Sequence, residues 1–313
     1  MNTHSQRSFD DGSPLLAHAI RQLRELDSSS NVALTCEPSV EGVVSSVGLT
    51  YLARLPPSRV RLVRETGCQA RLGEVIVQGL NPSWDETVVL ARRVLVGFEQ
   101  KQNREAVRRL VLACASDDPR MPETVHRFMR AGFSRSTLLV EDPADEVCHA
   151  LNALARQVDN EREHMRQFVR FSRMADGSFM SVFRPNANVL PLTTGYFVQR
   201  LGNERFLIVD PLHHIATFYT PKQKRFGTVK LDQSGIDKLV ARSDLADNEA
   251  SIQALWQCFY ERVGLPGRDA SQRGYDLRTH WMPQRFWSEL TELAVNVHEK
   301  TAPGVTRCRR ITS

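Results

Sequence analysis

The run from 158 to 210 decides how this chain is read. It opens V-D-N-E-R-E-H-M-R-Q-F-V-R-F (158–171), passes through R-P-N-A-N-V-L-P-L (184–192) and closes on R-F-L-I-V-D (205–210). Up to Arg166, Val147, Leu151, Leu154 and Val158 recur at helical spacing, so a long helix is expected over 145–166. Beyond it the spacing changes to short runs rich in aromatic and β-branched residues. Strands are expected over 179–183, 205–209, 215–219 and 226–230, with a short helix over 192–201. D-P-L-H-H (210–214) suits a tight corner between two of these strands. Helices return over 249–263 and 283–299, the latter with Pro283 at its first turn.

Working outward, the first half reads as mainly helical. Helices are expected over 14–26, 40–52, 104–114 and 122–131, the last capped by Gly132. A further helix opens at Ser83, where S-W-D-E offers a capping box with Glu86. Only 59–64 and 74–78 look β-like. The expected class is therefore α+β: a helical N-terminal half packed on a small, mainly antiparallel sheet that two C-terminal helices cover. The organisation reads as an N-terminal extension (1–38), a helical region (39–166), an α+β region (167–300) and a basic tail (301–313).

Composition narrows the classes. The 313 residues are 41% hydrophobic, enough for two packed units of ordinary size. No run of 18 apolar residues exists, so no membrane partner is expected. The N-terminus lacks the pattern of a secretory leader. The six cysteines are scattered without a C-x-x-C pair, which suits reduced thiols in a cytoplasm and no metal site. Net charge is +5 with a pI near 9.0, and arginine outnumbers lysine. That balance permits a polyanionic partner, but on composition alone a high-GC genome that encodes arginine cheaply is the favoured explanation. No P-loop, G-x-G-x-x-G, G-x-S-x-G, H-E-x-x-H or deaminase zinc motif is written here, and no cofactor is expected.

Four clusters together carry one resemblance. They are Glu161, Phe168, Arg170 and Phe171; Pro185, Asn188, Val189, Leu190, Pro191, Leu192, Phe197 and Arg200; Ile208, Asp210, Ala216 and Tyr219; and Leu255, Trp256, Tyr260, Arg268, Met282, Pro283, Arg285, Trp287 and Glu292. Over about residues 40–295 the chain resembles a bacterial family labelled "probable DNA metabolism protein", whose domain has no assigned activity. It departs from that pattern at Glu163–His164, at Tyr196 and after Arg268. Members of the family are encoded beside a radical SAM protein assigned to DNA repair, and some are fused to a uracil-DNA glycosylase. The resemblance therefore implies an accessory protein of DNA repair or DNA base metabolism that binds DNA and works with one of those enzymes. Two rivals stand beside it: an enzyme acting on damaged or modified DNA, and a scaffold that binds only protein.

The candidate residues each carry two readings. Glu161 and His164, three apart on one helix face, suit acid–base or metal-ligand work, but one E-x-x-H without partners reads first as a solvated helix end. Asp210 is a functional carboxylate at a strand end or the former of its own D-P turn. His213 and His214 read as exposed turn residues. Arg170, Arg184, Arg200, Arg268 and Arg285 sit beside aromatics or a proline corner. They suit phosphate contacts near a stacked base, or stacking on core aromatics and pairing with Asp210 or Glu292. The helix start at Pro283, with Arg285 and Arg268, suggests an anion site.

Overall fold

Two units make up the chain, Met1–Asp159 and Asn160–Ser313. The computed structural model describes residues 14–142, 144–242, 244–262 and 282–291.

In the first unit α1 (Pro14–Arg24) leads to β1 (Asn31–Cys36), α2 (Val40–Leu52), β2 (Val60–Arg64) and β3 (Glu74–Gln78). Helices α3 (Asp85–Lys101), α4 (Arg104–Cys114), α5 (Met121–Ser134) and the start of α6 (Glu146–Phe168) follow. The sheet runs β2-β1-β3, all parallel, with Leu34 of β1 opposite Leu62 and Val77. Residues 32–36 are buried without a break. A central parallel strand covered on both faces needs no alternation. That is why N-V-A-L-T-C escaped the sequence reading, which placed it in an N-terminal extension. The extension from residue 14 onward belongs to this unit, and the N-terminal half holds a sheet of its own.

Two local features differ from expectation. The capping box does not form: Trp84 is the N-cap of α3 with no side-chain bond, and the Ser83 N–H goes to Asn81 Oδ1 at 2.9 Å. Gly132 does not end α5. It lies inside that helix, where a Cβ would fall 2.5 Å from a ring carbon of Phe98. Its role is close packing against a fully buried ring.

The second unit carries a five-stranded sheet in the order β4 (Ser172–Arg173), β5 (Phe179–Val182), β6 (Phe206–Asp210), β7 (Ile215–Thr220) and β8 (Arg225–Lys230). All pairs are antiparallel except β5–β6, which is parallel and bridged by α7 (Leu190–Leu201). The α+β class and the mainly antiparallel sheet are as expected. Pairing register puts Ser181, Ile208, Thr217 and Thr228 in one row on one face, with Asp210 further along it. Helix α7 packs on that face, where Thr194 Oγ1 lies 3.2 Å from Thr217 Oγ1. The opposite face buries Met180, Val209 and Ala216 with Met174 and with Ile236 of α8 (Gln233–Val240). Helix α9 (Glu249–Arg262) meets the expectation for 249–263, but Gln284–Glu289 is a 3-10 turn. The rest of the helix expected over 283–299, the tail 301–313 and Arg268 lie outside the described residues. Among the described residues no helix is long and apolar enough to cross a membrane.

Cys36, Cys68, Cys114, Cys148 and Cys258 are free, and Cys308 lies outside the described residues. Burial pushes the Cys36 thiol up to about 12 and raises Cys114 and Cys148 as well. Thiol titration should find all six groups in denaturant without reductant. In the native protein, partly exposed Cys68 should react well ahead of Cys36 and Cys114. Fewer than six groups in denaturant, or fast native reaction at Cys36, contradicts this.

Candidate functional site

The parallel pair β5–β6 delivers two strand ends side by side, with the Phe183 N–H donating to Val209 O at 2.9 Å. Arg184 leaves one end and Asp210 closes the other. Asp210 is 1% exposed. Its Oδ1 accepts the N–H groups of Leu212 (3.0 Å) and His213 (3.2 Å), and its Oδ2 lies 2.5 Å from His213 Nδ1. The carboxylate thus organises its own turn. His213, expected in solvent, is folded against it with 11% of its side chain exposed, whereas His214 is exposed at φ +54°. Arg184 Nη1 donates to Glu289 Oε1 at 2.6 Å and its backbone N–H to Oε2 at 3.3 Å. Burial raises the Glu289 carboxyl above its usual range; Arg184 opposes the rise and the charge of Asp210 adds to it. Sequence reasoning missed Glu289, since its partner is 105 residues away.

Glu161, on α6, is buried, which the solvated-end reading did not foresee. It accepts the Asn186 N–H at 3.0 Å and a bond from Arg285 Nη2. His164 Nδ1 is 3.5 Å from Glu161 Oε1 and makes no hydrogen bond. Its ring packs instead on Phe168 and Phe286, each with centroids 5.8 Å away. Phe286 in turn stacks on Phe183 at 4.6 Å, and the Arg285 guanidinium lies 4.3 Å from the Phe286 centroid. The anion site expected at a helix start near Pro283 finds a six-residue 3-10 turn in its place. Among the described residues no three His, Cys, Asp or Glu side chains gather to hold a metal ion.

A cavity of about 440 Å³ opens elsewhere in this unit, lined by Arg166, Arg170, Phe171, Phe197, Arg200 and Trp256 among others. Arg166 lies in the last turn of α6, with Arg170 and Phe171 just beyond it; Phe197 and Arg200 end α7; Trp256 comes from α9. Cations at two helix C-termini are favoured by the helix dipoles. The Arg170 guanidinium lies 5.9 Å from the Trp256 ring, and that of Arg166 5.1 Å from Tyr196. Arg166 Nη1 also donates to Glu163 Oε1 at 2.8 Å, and Arg200 Nη1 to Tyr196 Oη at 3.2 Å. Phe171 meets Phe197 edge-on at 5.7 Å. Phe197 is buried, while Trp256 keeps 40% of its surface exposed. Sequence reasoning found Arg170 and Arg200 but not Arg166, although Arg166 and Arg170 are four apart and that spacing was the available signal.

A family model described as a domain of unknown function, DUF4130, matches residues 119–292. The resemblance read from the sequence reached back to about residue 40, so helices α2 to α4 fall outside the match. The search of curated proteins gives no match. Among solved structures, "Crystal structure of exonuclease RecJ bound to manganese" aligns at 10% identity and a TM-score of 0.33, covering 73% of this chain and 93% of that one. That likeness is too slight to support an inference about fold or activity.

Proposed function

The chain belongs to the DUF4130 family, whose function is unknown, and from that premise we propose that it is a DNA-binding accessory protein of DNA repair or DNA base metabolism. It works beside a radical SAM or uracil-DNA glycosylase enzyme, as the resemblance to the DNA-metabolism family implies. The observation that carries the DNA contact is the cavity, where three guanidinium groups and the partly exposed ring of Trp256 converge. Guanidinium groups pair with phosphate and aromatic faces receive bases, irrespective of sequence. Arg170 and Arg200 carry the contact, and Arg166, paired with the partly exposed carboxylate of Glu163, stands beside them. Arg184 and Arg285 are engaged by Glu289 and Glu161 and act as positioning residues. Binding assays on normal, uracil-containing and UV-damaged DNA, with the two candidate enzymes added singly, test the proposal. The expected result is DNA binding that either enzyme strengthens. No binding to any of the three overturns it.

One observation favours a second reading, an enzyme acting on DNA. The buried Asp210–His213 pair stands at the carboxyl ends of two parallel strands, beside the raised carboxyl of Glu289. Ligands of α/β sheets commonly bind at such ends. Asp210→Asn retains the Oδ1 acceptor of the turn but removes the charge. On the enzymatic reading it folds normally and fails in a DNA-damage survival assay. Normal survival, with Asp210→Ala melting several degrees lower, leaves the turn role alone.

A further inference from the structure

Resting on the proposal that DNA binds at the arginine-lined cavity, we infer that the cavity receives one unstacked nucleotide. Single strands, and duplexes with an unpaired base, are then preferred over intact duplex. Its volume of about 440 Å³ is that of a site for a single small ligand. The walls differ in character. Phe171 meets both Phe197 and Phe206 edge-on, and Phe197 is buried, so the two lining rings form a fixed inner wall. Trp256 lines the cavity and keeps 40% of its surface exposed, with the Arg170 guanidinium 5.9 Å from its ring. Arg166, Arg170 and Arg200 come from two helix ends, which spreads charge around the opening for a phosphate on either side of the base. A base paired in a duplex reaches a concave site only after leaving its stack; a single strand has no pair to break. Stacking on an aromatic ring accepts any base, so affinity should depend little on sequence.

The test uses the full chain with a short labelled oligonucleotide, its duplex, and the duplex carrying one unpaired base, together with tryptophan fluorescence. Wild-type protein should bind the single strand about tenfold more tightly than the duplex, with the unpaired-base duplex between them. Its fluorescence should be quenched as the single strand binds. Trp256→Leu should remove the preference. Trp256→Phe, which keeps both packing and a π face, should retain most of the preference while losing the quench. Thermal melting of both variants separates a binding loss from a folding loss. Equal affinity for single strand and duplex, unaltered in Trp256→Phe and with no quench in wild type, overturns this inference and leaves DNA binding intact. Absence of salt-dependent binding to any of the three overturns both.

Discussion

Arg285→Ala should cost about 3 kcal/mol of folding stability, the low end for breaking a buried pair. The substitution leaves the Glu161 carboxylate buried with the Asn186 N–H as its remaining hydrogen bond among the described residues. The low end applies because Arg285 itself keeps 34% of its side chain exposed, so water screens part of the interaction. Truncation also removes the guanidinium from the face of Phe286, whose ring is fully buried against Phe183. Glu161→Gln in the Arg285→Ala background removes the stranded charge, keeps an acceptor for Asn186 and should recover much of the loss. A double-mutant cycle followed by denaturant unfolding reads both quantities. A cost under about 1 kcal/mol, the value of an exposed pair, would contradict the clamp. DNA affinity of the folded Arg285→Ala protein should hardly move, because Arg285 is engaged by Glu161 and lies outside the cavity lining.

The largest effect on binding is expected from Arg170→Ala with Arg200→Ala. Arg200 is exposed and Arg170 partly so, and neither holds a core position, so the pair should be removed with little loss of stability. Removing one arginine–phosphate pairing flattens the dependence of log K on log salt by about 0.7 for a single strand and about 0.9 for a duplex. The reduction should be similar across sequences, since bonds to phosphate carry no base information.

Much of the second unit was legible because its local patterns agree with its tertiary role. F-L-I-V-D announces a strand ending in a carboxylate, and Asp210 does close β6. A helix ending at Leu201 and the aromatic, β-branched runs of β5, β7 and β8 were equally readable, although α7 starts at Leu190, two residues before the expected start. β1 was not legible, since a short strand buried on both faces has no period to detect. Gly132 looked like a helix end because close approach to Phe98 and a C-cap both select glycine. At the candidate sites the sequence supplied residue types without their partners. Glu161–Arg285 and Arg184–Glu289 join residues 124 and 105 positions apart, and no local pattern encodes such pairs. His213 was read as exposed because its burial depends on how the D-P turn folds its ring back onto Asp210.

The most direct test of DNA binding at the cavity is the salt dependence of DNA affinity for the wild type and the Arg170→Ala/Arg200→Ala double variant, measured on single strand and duplex alike. The wild-type slope should be steep, and the variant should flatten it by about 1.4 on single strands and about 1.8 on duplex, with melting temperature essentially unchanged. Identical slopes for the two proteins, or no salt-dependent binding by the wild type, would contradict it.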